Sequence, residues 1–470
     1  MAKPILKLNK PMTTQTLLNG PSTPRVLRML KLIAQPLNYL EDYAQRYGDP
    51  FRVGGKNSPG LVYFSNPQAI QEIFTADPEL FDIGRGNRVL RFMLGEHSLI
   101  LLDGDRHQRQ RRLLTPPFHG DRMRAYGELI GDITQQVTQD WTTGQSLAVR
   151  SYLQEITLRV ILQAVFGLHD GSRYQQLRRL MSSMLESISS PLSSSVLFFS
   201  SLQKDWGPLS PWGRYLRQKQ QVDQLIYEEI RERREKGDFD RSDILTLLMS
   251  ARDDAGQPMT DEELHDELMT LLVAGHETTA SALTWALYWI HRLPDVHDKL
   301  LHELNTLGKD ATPSEIAKLP YLTAVCQETL RIYPIVISTF FRVLKAPFQV
   351  MGYQFEPGTV LVPSIYLTHH REDIYPEPKR FRPERFLERQ FSSYEYLPFG
   401  GGNRRCLGMA FAQFEMKLVL AAIVSRFQLT LVNRRPVKPV RRGLTVAPPS
   451  NMRLVVNQLR SQDTLPGVRS

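Results

Sequence analysis

The stretch Phe399-Gly-Gly-Gly-Asn-Arg-Arg-Cys-Leu-Gly408 is the most informative part of this chain of 470 residues. Its cysteine, Cys406, follows three glycines and two arginines and precedes an apolar segment with helical periodicity. Glycines let the backbone approach a flat partner, NH groups at a helix start favour a thiolate, and arginines pair with anions. A lone cysteine can also be an inert buried thiol. The combination favours an iron porphyrin with its two propionates.

The stretch resembles the haem-binding loop of cytochromes P450, Phe-x-x-Gly-x-Arg-x-Cys-x-Gly. The resemblance covers roughly residues 35–455 and implies haem b (iron protoporphyrin IX) as the cofactor. It assigns Cys406 as the axial ligand of the iron, a thiolate that favours O–O cleavage. It places Phe399 and Gly408 against the porphyrin and Arg404 at a propionate. The implied fold is mainly α, a large helical domain with a long central helix and a small β-rich part.

A second motif lies in that long helix, which a capping box at Thr260 begins and Pro294 ends. Ala274-Gly275-His-Glu277-Thr278-Thr matches the oxygen-activation motif of the family. The resemblance implies that Ala274 and Gly275 line the haem. It makes Thr278 and Glu277 the catalytic pair that delivers protons, with a helix distortion freeing the threonine hydroxyl. A threonine in a helix otherwise bonds a backbone carbonyl.

Further cations correspond to the residues that hold the haem propionates in the family. They are His107 and Arg111, in the run His-Gln-Arg-Gln-Arg, and Arg342, in Phe-Phe-Arg-Val. Trp and His both occur in the family at the position of His107, so the charge of this side chain stays open. Ordinary surface cations are the alternative for all three.

Glu328-Thr-Leu-Arg331 places opposite charges three residues apart on one predicted helix, residues 320–333. Alone, this pattern indicates a solvated ion pair. Because Pro-Glu-Arg385-Phe follows, the pair resembles the buried Glu-Arg-Arg network of the family. The three residues are therefore expected to have a structural role, and breaking a buried network is costly.

The remaining pattern predicts helices over most of residues 67–272, a helix at 407–426, and short strands within 50–65, 348–364 and 427–433. Residues 187–213 are serine-rich and apolar, which fits either a loop or a mobile lid over an apolar pocket. We expect one catalytic domain over residues 31–470, with 1–30 unassigned.

Composition restricts the class of protein. Two cysteines exclude a disulfide scaffold, and the proline- and lysine-broken N-terminus predicts neither a membrane span nor a signal peptide. Residues 388–470 contain 13 Lys and Arg but 4 Asp and Glu, which accounts for the net charge of +9. This basic region fits an acidic ferredoxin or flavodoxin that supplies electrons better than nucleic acid, although a solvated surface also explains it. We expect a cytoplasmic monomer, with peripheral membrane contact left open.

The resemblance implies a monooxygenase that inserts one atom of O₂ into a C–H bond of an apolar substrate. Alternatives are an electron-independent haem-thiolate isomerase or peroxygenase, which usually lacks the acid–threonine pair, and a haem-based gas sensor or carrier. The long helix resembles that of bacterial and cyanobacterial P450s related to fatty-acid hydroxylases. Residues 89–102 and the serine-rich segment, which roof the pocket in the family, carry many apolar side chains. The resemblance therefore implies an elongated apolar pocket and a long-chain fatty acid, hydroxylated far from its carboxylate. Terpenoids and alkanes come next. Arg52 and Lys56 are candidate carboxylate anchors or plain surface cations.

Overall fold

The computed structural model describes residues 18–21, 23–54, 60–118, 120, 122–189, 203–207, 210–237, 239–308 and 311–460. Helices dominate these residues: α1 (Arg25–Ala34), α2 (Pro36–Tyr47), α3 (Pro67–Thr75), α4 (Ile83–Gly86), α5 (Arg91–Leu94), α6 (Gly104–Leu114), α7 (Arg122–Thr138), α8 (Val149–Phe166), α9 (Gly171–Ser189), α10 (Pro211–Lys236), α11 (Ile244–Ser250), α12 (Asp261–Arg292), α13 (Pro294–Asn305), α14 (Pro313–Ile316), α15 (Pro320–Ile332), α16 (Ile365–His369), α17 (Arg385–Glu388) and α18 (Met409–Arg426).

The strands are short: β1 (Phe51–Val53), β2 (Leu61–Phe64), β3 (Phe81–Asp82), β4 (Ser146–Leu147), β5 (Arg342–Leu344), β6 (Phe348–Val350), β7 (Tyr353–Phe355), β8 (Val360–Pro363), β9 (Phe427–Leu431), β10 (Val440–Arg442), β11 (Thr445–Ala447) and β12 (Leu454–Leu459). One sheet has the order β1-β2-β8-β5-β3, with only the β2–β8 pair parallel. The others are β4-β12-β9, β6-β7 and β10-β11. The helical fold with a small β part confirms the predicted class.

The long helix α12 forms the centre of the helical part. Its capping box is complete, because the Glu263 amide donates to Thr260 Oγ1 (3.2 Å) and the Thr260 amide donates to Glu263 Oε2 (3.0 Å). The helix ends at Arg292, two residues before Pro294, as the sequence predicts. It packs against α8, α10, α15 and α18, so most of its side chains are buried, including polar ones such as Glu267 and Glu277.

The predicted strands within 50–65, 348–364 and 427–433 are confirmed. The turn before β8 has Gly358 at φ 85°, and the Thr359 amide donates to the Glu356 carbonyl (3.1 Å). The serine-rich segment is only partly described: α9 extends to Ser189 and α10 begins at Pro211, whereas 190–202 and 208–209 lie outside the described residues. Within the described ranges, every helix is too short or too polar to cross a bilayer.

Candidate functional site

The cysteine loop depends on its three glycines. Gly400 (φ 69°) and Gly402 (φ 62°) occupy the left-handed region, where a side chain is strained. Gly401 has an extended backbone, but a Cβ there would collide with the ring of Phe74. The glycines therefore set the path of the loop and its close approach to α3.

Cys406 is held at the start of α18. Its amide donates to the Phe399 carbonyl (2.9 Å), which closes the loop. Its side chain has solvent-accessible surface, even though most of its surroundings are protein. Burial raises the pKa of the Cys406 thiol, and the Gly408 amide and Arg111 oppose this rise without cancelling it. The NH groups at the helix start thus favour a thiolate, as the sequence argument expects, but burial outweighs them. Coordination to a metal cation would deprotonate the sulfur.

Arg404 lies in the same loop and is buried. It donates to Asp103 Oδ1 (2.7 Å) and to the Leu99 carbonyl (3.2 Å). Its Nε is buried with no hydrogen-bond partner among the described residues. Burial lowers the pKa of Arg404 to about 10. A buried guanidinium with an unused donor indicates an anion that the protein chain does not supply.

The structure places the other predicted propionate cations close to Arg404. Burial, Arg404 and Arg111 lower the pKa of His107 to about 3, so this imidazole is neutral at physiological pH. Burial and Arg404 lower the pKa of Arg342 to about 9. Among the described residues, Asp103, which pairs with Arg404, is the one carboxylate that forms an ion pair with any of the three arginines Arg111, Arg342 and Arg404. The set therefore carries an excess of positive charge.

Ala274 and Thr278 lie one turn apart on the same face of α12. Ala274 is exposed and Thr278 half-buried, in a helix that is otherwise mostly covered. Thr278 Oγ1 donates to the Ala274 carbonyl (2.6 Å), and the helix runs without a break through the motif. The expected distortion that frees the hydroxyl is therefore not seen. The bonded hydroxyl still has lone pairs that can accept a proton.

The other two motif residues face α8. A Cβ on Gly275 would lie 3.0 Å from Cδ1 of Ile161, so Gly275 permits the close packing of α12 on α8. The Glu277 carboxylate pairs with Arg150 and accepts from Gln154 Nε2 (3.0 Å). Both members of the ion pair are buried. Arg150 and Gln154 belong to no motif, so no sequence signal indicates that they reach Glu277.

The predicted Glu-Arg-Arg network is buried and connected. Glu328 accepts from Arg331 Nε (2.6 Å) and Arg385 Nε (3.1 Å), and from the Arg382 amide (2.8 Å). Glu328 and Arg331 have no exposed surface, and Arg385 is 3% exposed. The alternative of a solvated ion pair is therefore wrong. The network ties α15 to α17 and to the chain before it.

These residues fit an iron porphyrin. The accessible sulfur of Cys406 is a soft ligand suited to iron, and a Cβ on Gly408 would meet nothing within 4 Å. The exposed Ala274 gives a second open surface, on α12. The surplus cations and the unpaired Arg404 Nε suit a dianionic edge. Together they match a flat dianionic group bound through a thiolate.

Comparison with known proteins agrees with this chemistry. The family model described as Cytochrome P450 matches residues 18–456. The putative cytochrome P450 135B1 of Mycobacterium tuberculosis is 36% identical over 442 residues, 94% of this chain and 91% of the relative. The putative cytochrome P450 138 of the same organism is 33% identical over 436 residues, 93% of this chain and 95% of the relative.

A solved structure, described as retinoic acid bound cyanobacterial CYP120A1, superposes with a TM-score of 0.79 at 26% identity. The match covers 92% of this chain and 96% of that one. The cysteine loop, the motif on α12 and the buried Glu-Arg-Arg network thus lie in a chain that matches the same family along nearly its whole length. The chain belongs to the cytochrome P450 family.

Proposed function

We propose that this P450 hydroxylates a long-chain fatty acid, at a carbon far from the carboxylate. Members of the family are monooxygenases that carry haem b. When bound, the haem activates O₂ with two electrons and supplies the oxygen atom that enters the C–H bond. The protein must then bind and orient an apolar chain, exclude water and deliver protons.

The observation that carries the substrate proposal is an aromatic cluster between α5 and α10, two helices that both contact α12. Phe92 on α5 contacts the rings of Trp212 (5.1 Å between centroids) and Tyr215 (5.5 Å) on α10. The Leu99 amide donates to Glu267 Oε1 (2.7 Å), two turns before Ala274. Residues 91–99 are thus held between α10 and α12. An apolar chain bound against them would gain about 0.8 kcal/mol for each buried methylene.

The ligand named for the similar cyanobacterial structure is retinoic acid, an elongated apolar chain that ends in a carboxylate. A fatty acid has the same general form, which supports the proposal. Retinoic acid is also a terpenoid, so terpenoid acids are the substrate class to test against fatty acids.

Of the two candidate anchors for the substrate carboxylate, the structure describes only Arg52. Lys56 lies outside the described residues. The Arg52 side chain packs against Gly60, because a Cβ on this glycine would lie 2.9 Å from Arg52 Nε. We retain Arg52 as the anchor to be tested by substitution.

For proton delivery, we assign the Thr278 hydroxyl to the open face of α12 and Glu277 to the supply of protons. Their arrangement supports different tasks: Thr278 is half-exposed, whereas the Glu277 carboxylate is engaged by Arg150 and Gln154. Supply through Glu277 therefore requires this carboxylate to leave its partners on α8. An acid and an alcohol in sequence can pass a proton to the reacting oxygen.

Bacterial P450s generally need redox partners. We assign the docking of an acidic ferredoxin or flavodoxin to the cations around the cysteine loop. Arg405 is exposed, and Arg112 is exposed while paired with Asp254. Arg405 directly precedes Cys406, and Arg112 follows Arg111, whose guanidinium donates to the Arg405 carbonyl (2.8 Å). A partner docked at Arg405 would have a short electron path, and complementary charge accelerates such encounters.

Spectral titration of the ferric, haem-loaded protein tests the substrate. Fatty acids of graded chain length are compared with retinoic acid and neutral terpenes. A low-to-high-spin shift that tightens with chain length supports the proposal. A shift with terpenes and with no fatty acid overturns it. Product formation that requires O₂ and reduced ferredoxin distinguishes a monooxygenase from the electron-independent alternative.

A further inference from the structure

His369, the last residue of α16, lies between the Glu-Arg-Arg network and the cysteine loop. It has no exposed surface. Its ring stacks on Tyr396, with centroids 5.4 Å apart and planes 18° apart. Histidine is mostly found partly exposed, so full burial requires a partner for each ring nitrogen.

Both ring nitrogens have such partners. The Leu397 amide donates to His369 Nε2 (3.0 Å), and Nδ1 lies 3.2 Å from the Arg331 carbonyl. An amide can only donate and a carbonyl can only accept, so the imidazole carries its proton on Nδ1. Burial and the charge of Arg331 lower the pKa of His369 well below its usual value, which agrees with a neutral ring.

Two hydrogen bonds connect His369 with Arg331 of the network, one donated by each residue. Arg331 Nη1 donates to the His369 carbonyl (2.8 Å), while the His369 ring donates to the Arg331 carbonyl. Arg331 is in turn held by Glu328 through Nε (2.6 Å). His369 therefore has a defined position relative to α15.

Leu397 is where the cysteine loop begins. Its side chain is 1% exposed, and its carbonyl accepts from the Gly400 amide (3.0 Å). The Phe399 carbonyl then accepts from the Cys406 amide (2.9 Å). Fixing the Leu397 amide thus fixes the start of a hydrogen-bonded loop that ends at the sulfur.

We propose that His369 is a positioning residue for the haem ligand: its Nε2 anchors the cysteine loop to the Glu328–Arg331–Arg385 network and so sets the position of Cys406. The proposal rests on haem ligation by Cys406 and is independent of the substrate. Loss of the anchor lets the sulfur move away from its ligating position.

The neighbouring histidine provides a matched control. His370 is also buried by surrounding protein, but its Nδ1 lies 2.9 Å from the Tyr366 carbonyl within the same stretch of chain. Its ring lies against Tyr366, with centroids 4.1 Å apart. His370→Asn thus perturbs the same region without touching the anchor of the loop.

The test compares three substitutions at His369, together with the His370→Asn control, in the haem-loaded protein. In His369→Gln, the glutamine amide lies near the former Nε2 and can accept from the Leu397 amide. In His369→Asn, the asparagine amide lies near the former Nδ1 and cannot reach Leu397. His369→Leu has no polar atom in the side chain. The measurement is the rate at which the ferrous CO complex loses the red-shifted Soret band of thiolate ligation in mild denaturant. The haem reduction potential is measured in parallel.

Loss of one buried hydrogen bond predicts a conversion about 5- to 10-fold faster for His369→Asn. His369→Gln and His370→Asn are expected within about 2-fold of wild type by the same reasoning. A shifted potential in His369→Asn, but not in His369→Gln, supports the proposal. Equal rates in His369→Asn and His369→Gln overturn it, and this comparison decides even if His369→Leu does not bind haem. Failure of the wild-type protein to bind any fatty acid, together with the expected rates in the variants, would overturn only the substrate proposal.

Discussion

Glu415 on α18 is 1% exposed, and its Oε1 has no hydrogen-bond partner among the described residues. Burial alone raises the pKa of this carboxyl well above its usual value. The folded protein therefore keeps the proton of Glu415 at pH values where the unfolded chain has lost it. Stability from this group is complete below the unfolded pKa and is lost as the pH rises toward the folded pKa.

Glutamine does not ionise, so Glu415→Gln removes the loss of stability that Glu415 causes as the pH rises. We expect the variant to gain stability over wild type as the pH rises above about 4.5, by about 1.4 kcal/mol per pH unit up to the folded pKa. Denaturant unfolding of the haem-loaded protein at pH 5 to 8 measures the difference. Exposed Glu186 provides the control, because Glu186→Gln makes the same chemical change where solvent reaches the side chain. A pH-independent difference for Glu415→Gln would contradict the prediction.

Thr278 and Thr284 offer a matched pair on α12. Each hydroxyl donates to the carbonyl four residues earlier at 2.6 Å, but Thr284 is completely buried whereas Thr278 is half-exposed. We expect Thr278→Val to divert reducing equivalents into hydrogen peroxide, because proton delivery needs a hydroxyl at the open face.

Product and peroxide formed per NAD(P)H consumed measure this coupling. Thr278→Ser should restore most of it, and Thr284→Val should leave it near wild type. If both valine variants couple alike, the hydroxyl serves only to bond the helix backbone.

The buried pair of Arg150 and Glu277 predicts a stability effect separate from catalysis. Glu277→Ala leaves the Arg150 guanidinium buried without its carboxylate, which costs about 3–5 kcal/mol. Ser281→Ala removes only one hydrogen bond of Arg150 (3.1 Å) and should cost about 1 kcal/mol. Equal unfolding free energies for the two variants would mean that the pair contributes nothing as a charge pair.

At the scale of elements, the contact of α12 with α8 depends on Gly275. Alanine there gains about 1 kcal/mol in helix propensity but must displace Cδ1 of Ile161, 3.0 Å from the new Cβ. We expect Gly275→Ala to be nearly neutral alone and stabilising in an Ile161→Val background, which lacks that atom. A double-mutant cycle on unfolding free energies measures the coupling, about 1 kcal/mol. Additive effects would show that the helices adjust freely.

At the scale of the whole molecule, the Glu328 network joins α15, α17 and the segment before α17, and His369 extends it toward the cysteine loop. Glu328→Ala leaves two buried guanidinium groups without their carboxylate, at a cost of about 3–5 kcal/mol. We expect little haem-loaded protein from this variant. Lys299→Ala, which breaks an exposed pair with Glu384, is the control and should express normally. Full haem occupancy in Glu328→Ala would contradict the assigned role.

The sequence alone determined the family and the boundaries of the central helix, and it predicted the thiolate ligand. These follow from local chemistry: the spacing within residues 399–408, the capping box at Thr260 and Pro294 act over a few neighbouring residues. The burial of the network was also expected, but only through the family resemblance, since an i,i+3 charge pair is found on exposed helices as well.

Only the tertiary structure decided which groups surround each motif residue. The partners of Glu277 lie more than 120 residues away on α8, and Asp103 is about 300 residues from Arg404. His369 meets Arg331 because α16 and α15 pack together, and it meets the cysteine loop through the Leu397 amide. No sequence spacing encodes either contact. A motif specifies a side chain and its local backbone, whereas its hydrogen-bond partners and its protonation depend on packing between distant segments.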